Sequence, residues 1–178
     1  NFNFFYDRLK DLDKSQILVD LGSGPEQFRD ITWKFNCVSV DFKQYGTTKI
    51  VADITKKLPL EDSAADIVFL SNVLEHIPWG MDFLSECGRI LKKRGMIIGT
   101  IPFLAPVHQA PHDYNRYTDY MLKMLLERAG FQAEITPIGE PARVYLNIQD
   151  QFFVFLTKAK FSDLFLLQFF LRQAAILA

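Results

Sequence analysis

Two glycines, Gly22 and Gly24, follow a short apolar run in Val19-Asp20-Leu21-Gly22-Ser23-Gly24-Pro25. Glycine lets the chain turn sharply and brings its backbone close to a ligand with no Cβ in the way. At the end of a parallel strand, such a turn lets a nucleotide-like ligand lie across the sheet edge. The dinucleotide pattern would need a third glycine at position 27, where Gln27 stands, and no lysine-bearing phosphate loop is present. One strand-helix-strand unit further on, Asp41 and Phe42 close Val38-Ser39-Val40-Asp41-Phe42. An acid there is placed to accept two hydrogen bonds from ribose hydroxyls. A turn aspartate is the competing reading. Asp53 and Ile54 end a third run, Val51-Ala52-Asp53-Ile54. That acid can accept from an adenine amino group while Ile54 packs on the ring, and again a surface turn is the alternative.

A fourth segment, residues 66–77 (DIVFLSNVLEHI), ends its strand-like part at Ser71 and turns beneath the same edge with Asn72 and His76. The three histidines of the chain, His76, His108 and His112, all fall in loops expected near that edge. Imidazole titrates near neutrality and suits general acid–base work. A hydrogen-bonded structural histidine is the alternative for each. His76 and His112 rank first as candidate catalytic bases, with Asp113 to orient a histidine or hold a substrate hydroxyl. Tyr114, Arg116 and Tyr117 read as loop-shaping, with Arg116 pairing an acid or an anionic substrate group. His108 and His112 are four apart, but Pro111 intervenes, so they need not share a helical face. With Asp113 they form at most a partial metal set without a fourth ligand, and no metal is expected.

These residues need a scaffold that brings strand ends together. Runs at 17–21, 37–41, 49–52, 67–71 and 96–101 are brief, apolar on both faces, and bounded by Gly, Asp, Asn or Pro. They read as buried strands of a parallel sheet covered by helices. Alternation with helix-like stretches predicts a doubly wound α/β domain of Rossmann-like type. A helix over 79–93 would place Met81, Leu84, Cys87 and Leu91 near one face. Lys92, Lys93 and Arg94 would sit at its end and Gly95 at the left-handed position beyond. A second helix over 118–129 has Thr118 as N-cap, a stripe of Leu122, Leu125, Leu126 and Ala129, and Gly130 as its stop. Residues 131–138 alternate like a strand.

The predicted core spans residues 1–140, with 141–178 a helical extension of the same domain. Pro141 can open a helix over 142–156. Residues 161–178 are very apolar but too short and interrupted for a membrane span. They read as a packing helix, with a membrane-surface or dimer contact as the alternative. The length of 178 residues suits one domain, and 49% hydrophobic residues suffice for a core. A formal net charge of −1 sets up no field for nucleic acid, so none is expected as a partner. Cys37 and Cys87 read as two reduced thiols of a cytoplasmic protein. No signal peptide is expected in the charged and aromatic residues 1–14.

In order and spacing, VDLGSGP, VSVDF, VADI, DIVFLSNVLEHI and RILKKRGMIIGTIPF resemble the class I S-adenosylmethionine-dependent methyltransferases of the type 11 kind over residues 15–139. The resemblance implies S-adenosylmethionine as cofactor, with Asp20, Gly22, Ser23 and Gly24 around its methionine part. It implies that Asp41 holds the ribose, that Asp53 with Ile54 flanks the adenine, that Phe42 is among the cofactor-binding residues, and that Asn72 and His76 line the region near the methyl group. PHDYNRYT, residues 111–118, is similar to a loop of a subgroup often found with bacterial cell-surface glycan synthesis. This implies transfer of a methyl group to a small-molecule or glycan hydroxyl. A non-catalytic methyltransferase-like assembly module and a NAD-type oxidoreductase are the alternative functions. The family's sheet order is 3-2-1-4-5-7-6. No strong seventh strand follows residue 138, although 151–158 could serve as strand or helix, so the far edge and an oligomer stay open.

Overall fold

Five parallel strands form one sheet in the order β3-β2-β1-β4-β5. They are β1 (Ile17–Leu21), β2 (Asn36–Asp41), β3 (Ile50–Val51), β4 (Ala65–Ser71) and β5 (Leu91–Thr100). The computed structural model describes residues 2–25, 27–139, 145, 146, 148, 149 and 152. All four strand pairings are parallel, so the C-terminal ends of the strands share one edge. The order reverses between β1 and its two neighbours, which makes the end of β1 a topological switch point. This is the doubly wound, Rossmann-like arrangement expected from the alternating runs.

Helices cover both faces of the sheet, which is why the central strands are apolar on both sides. On one face α1 (Phe2–Leu9) and the single turn α2 (Arg29–Thr32) contribute Phe5, Leu9 and Ile31 to a cluster with Leu18, Ile67 and Phe69. Phe5 lies 4.4 Å from Phe69 and 4.9 Å from Phe28, centroid to centroid, with Phe28 and Phe5 edge-on. Each such buried ring contributes about 1.5–3 kcal/mol from area alone. On the other face α3 (Gly80–Ile90) sets Phe83, Cys87 and Ile90 in a cluster with the strand residues Val19, Val68 and Leu70, and Leu84 is buried too. Cys37 and Cys87 are both buried, one in each cluster, and neither forms a disulfide.

Three local expectations are corrected. The helix predicted over 79–93 ends at Ile90, and Lys92, Lys93 and Arg94 lie in β5. The register of β5 against β4 is irregular between Ala65 and Ile67, and the positive φ falls on Arg94 at 69°, not on Gly95. Gly95 is needed for another reason. A Cβ there would lie 2.9 Å from the Lys92 carbonyl oxygen and 3.0 Å from that of Asp66. The buried face of α3 also includes Phe83 and Ile90, whereas Met81 is only partly buried. Residues 131–138 form no strand. The Phe131 N–H instead donates to the Leu126 carbonyl, closing the end of α4 (Asp119–Arg128). That helix begins as expected, with the Thr118 hydroxyl accepting from the Met121 N–H, and ends before Gly130 at φ 89°.

The chain divides into a unit Asn1–Thr136 and a unit Pro137–Ala178. Within the second unit Tyr145, Leu146, Ile148, Gln149 and Phe152 are helical, and Gln149 Nε2 donates to the Tyr145 hydroxyl one turn back. The seventh-strand candidate at 151–158, apart from Phe152, and the apolar segment 161–178 lie outside the described residues. Among the described residues no helix is long and apolar enough to cross a membrane.

Candidate active site

The turn after β1 is built by backbone geometry. Gly22 and Gly24 have φ of 72° and 54°, in the left-handed region that side chains with a Cβ avoid. The N–H groups of Gly22 and Ser23 both donate to the Val40 carbonyl, at 2.8 and 3.2 Å, which fastens the turn to β2. A Cβ on Gly22 would lie 2.8 Å from Val73 Cγ2, whereas one on Gly24 would meet nothing within 4 Å among the described residues. The first glycine is therefore required by packing, and the second is open with respect to those residues.

Asp41 completes this corner. Its carboxylate accepts from the Gly24 N–H at 2.8 Å and from the Lys43 N–H at 3.1 Å, while its carbonyl accepts from Ala52 N–H at 2.9 Å. One side chain thus ties the ends of β1 and β2, and its backbone ties in the end of β3. Each carboxylate oxygen keeps further lone-pair capacity. Phe42 beside it is 73% exposed, a large apolar surface at the sheet edge. Ser23 Oγ is buried and has no hydrogen-bond partner among the described residues. Such an orphaned polar atom beside an open glycine is what a polar ligand would satisfy. Asp20 is buried within β1. Asp53 is exposed, and one of its oxygens accepts from the Thr55 N–H and hydroxyl, hydrogen bonds that hold its carboxyl below the usual range. Ile54 is partly buried and packs on the core of the α3 face.

The end of β4 builds a second corner. Asn72 has φ 54°, its N–H donates to the Thr100 carbonyl at 2.9 Å, and its side-chain oxygen accepts from the Thr100 hydroxyl at 3.1 Å. A 3₁₀ turn, Leu74–His76, follows. The loop between β5 and α4 folds back onto this turn. Tyr114 and Asn115 N–H both donate to the Glu75 carbonyl, at 2.9 and 3.1 Å, and Asn115 Nδ2 donates to the Ile77 carbonyl at 2.8 Å. That clamp brings His76 and His108 edge to face at 4.9 Å.

The loop has its own internal brace. Asp113 accepts from both terminal nitrogens of Arg116, at 2.6 and 2.7 Å, and from the His108 N–H at 2.8 Å. The Arg116 guanidinium is the largest cause that holds the Asp113 carboxyl far below the usual carboxylate range. Arg116 also donates to the carbonyls of Ala105 and Pro106. The loop-shaping role read for Arg116 takes this form. His112 is exposed, with Nδ1 3.0 Å from the Tyr114 hydroxyl.

His108 joins His76, while the ring of His112, ranked above it from sequence, turns to Tyr114. Glu75 was overlooked. It is fully buried, and neither carboxylate oxygen has a hydrogen-bond partner among the described residues. Burial, the largest influence, pushes its carboxyl above the usual range, against the pull of His76, His108 and Arg116. Its signal in the sequence was the adjacent pair Glu75-His76 directly after a strand end.

Comparison with known proteins bears on the same stretch. Residues 19–99 match the family described as Methyltransferase domain, a span from β1 through β5. An uncharacterized protein of Methanocaldococcus jannaschii is 34% identical over 92 residues, which cover 48% of this chain and 40% of that protein. The chain thus spans well under two thirds of that relative's length. An S-adenosylmethionine-dependent methyltransferase from Mesorhizobium loti superposes with a TM-score of 0.61 at 16% identity, over 82% of this chain and 90% of the other. A SAM-dependent methyltransferase from Aquifex aeolicus gives 0.60 at 16%, over 76% and 84%. At these identities the superpositions speak for the fold.

Proposed function

We propose, from the match of residues 19–99 to the methyltransferase domain family and the S-adenosylmethionine cofactor it indicates, that the chain transfers a methyl group from S-adenosylmethionine to a hydroxyl of a small molecule or glycan. The observation that carries the reading is the corner where Asp41 accepts the Gly24 N–H beneath an open glycine turn. Asp41 would take the ribose hydroxyls, and the exposed Phe42 ring with Asp53 and Ile54 would flank the adenine. Asp20, Gly22, Ser23 and Gly24 would hold the methionine part, with Ser23 Oγ gaining the partner it lacks. Asn72 and His76, at the end of the neighbouring strand, would line the region near the methyl group.

The cofactor supplies an electrophilic methyl on a sulfonium, which an acceptor oxygen takes by in-line displacement. The protein's task is then to hold the acceptor in line. Orientation of this kind is worth on the order of 7–11 kcal/mol of barrier lowering. A sugar hydroxyl is a poor nucleophile, so a base that takes its proton helps. We assign that role to His112, whose ring is exposed. Asp113 acts as a positioning residue, because Arg116 and the His108 N–H already occupy its carboxylate. The same reading places the protein in the cytoplasm. It leaves residues 161–178 for peripheral membrane contact or self-association.

Thermal denaturation with S-adenosylmethionine, S-adenosylhomocysteine or NAD tests the cofactor. Stabilisation by the first two and none by NAD is expected; stabilisation by NAD alone would reverse the assignment.

A further inference from the structure

We propose that Glu75, His76 and His108 form a binding site for one divalent first-row transition cation of the zinc type, with one coordination position left open. One ligand atom from each residue lies within 4.8 Å of the other two. Glu75 Oε1 is 3.7 Å from His76 Nε2 and 3.9 Å from His108 Nε2. A tetrahedral zinc ion with bonds near 2.1 Å spaces its ligand atoms roughly 3.4 Å apart, so a small inward movement completes the geometry.

The hydrogen bonds around the cluster fix which atoms face inward. His76 Nδ1 is 2.5 Å from the His112 carbonyl oxygen. A carbonyl only accepts, so Nδ1 carries a hydrogen, and in the neutral ring Nε2 presents a lone pair. His108 Nδ1 lies 3.1 Å from the Pro106 carbonyl oxygen and 3.3 Å from Asp113 Oδ2, both acceptors, with an Arg116 nitrogen farther off at 3.5 Å. Its Nε2 is then also a lone pair directed at Glu75. Three acceptors thus converge with no donor between them, and Glu75 Oε1, Glu75 Oε2 and His76 Nε2 are buried without a hydrogen-bond partner. Such a convergence repels itself unless a proton or a metal cation joins it. Ligating histidines commonly hand their second nitrogen to a carbonyl or carboxylate, the arrangement seen at both rings.

Two imidazoles and a carboxylate suit zinc and its first-row neighbours rather than magnesium or calcium, which favour all-oxygen sets. Three protein ligands leave the open position typical of catalytic rather than structural zinc sites. An acceptor hydroxyl taking that position would have its pKa lowered. This last role rests on the methyl-transfer reading; binding of the ion does not. The ligand set differs from the partial set of His108, His112 and Asp113 weighed in the sequence, because Asp113 is taken by Arg116 and the His112 ring points to Tyr114.

The test is titration of the chelator-treated full chain with Co²⁺ and Zn²⁺, read by visible absorption of bound cobalt and by elemental analysis after dialysis. One ion per chain is expected, with affinity at least about tenfold weaker in Glu75→Gln and in His108→Ala, and retained in His112→Ala. Circular dichroism follows folding of each variant, and the wild-type stoichiometry needs no variant. Absence of stoichiometric binding to the wild type, as for a cluster that holds only a proton, overturns the proposal. So does unchanged affinity in both ligand variants. S-adenosylhomocysteine binding is measured on the same samples. Cobalt bound without S-adenosylhomocysteine would leave the ion site standing and remove the cofactor reading; the reverse result would do the opposite.

Discussion

The two corners of the sheet edge are built in opposite ways. At the β1–β2 corner five backbone N–H groups find partners on two residues of β2: Gly22 and Ser23 on Val40, and Gly24, Lys43 and Ala52 on Asp41. At the β4 corner the partners come from far along the chain, Tyr114 and Asn115 on Glu75, His76 on the His112 carbonyl. The first corner has its Val40 and Asp41 acceptors matched to backbone donors and leaves the Ser23 hydroxyl without a partner among the described residues. The second gathers acceptors that lack donors. On the proposed reading the first is a cradle for a ligand that brings hydroxyls and an ammonium group, and the second a site for a cation. Adjacent strand ends can therefore carry separate tasks and be broken separately.

Asp41→Ala should do the most damage on one side alone. It removes the proposed ribose acceptor and the latch on Gly24, and S-adenosylhomocysteine affinity by calorimetry should fall by at least about tenfold, or about 1.4 kcal/mol. Cobalt binding should be retained. If both ligands are lost together, the two corners are one unit and the comparison fails.

The two glycines sharpen the point. Gly22→Ala forces a Cβ against Val73 and into an unfavourable φ, so urea denaturation should show a loss of about 2–4 kcal/mol. Gly24→Ala meets no atom and should cost only the φ strain, about 1–2 kcal/mol, yet it stands in the open face and should weaken cofactor binding. Equal stability losses would contradict the packing difference. Smallest is Asn115→Ala, which removes the hydrogen bond to the Ile77 carbonyl and should cost about 1 kcal/mol. Faster amide exchange at Tyr114 and Asn115, with S-adenosylhomocysteine affinity unchanged, is the expected signature.

The same contrast explains what could be read from the residues. The glycine turn and Asp41 stand one strand-helix-strand unit apart, so fixed spacing and parallel topology place them together. Thr118 and Gly130 likewise bound α4 through local capping chemistry. Glu75 could not be singled out this way. Its burial depends on a loop more than thirty residues downstream folding back, and no periodicity encodes that. Residues 131–138 alternate as a strand does, but a strand also needs a neighbouring ladder, and the Phe131 N–H is spent on the helix end. Helix α1 was missed because its buried Phe5 and Leu9, one turn apart, sit among charges and exposed aromatics.

A structure of the chain with S-adenosylhomocysteine bound tests the central claim most directly. The ribose hydroxyls should lie within hydrogen-bonding distance of the Asp41 carboxylate, with the methionine part over Gly22–Gly24. A ribose held elsewhere, or a ligand away from the β1–β2 corner, would contradict it.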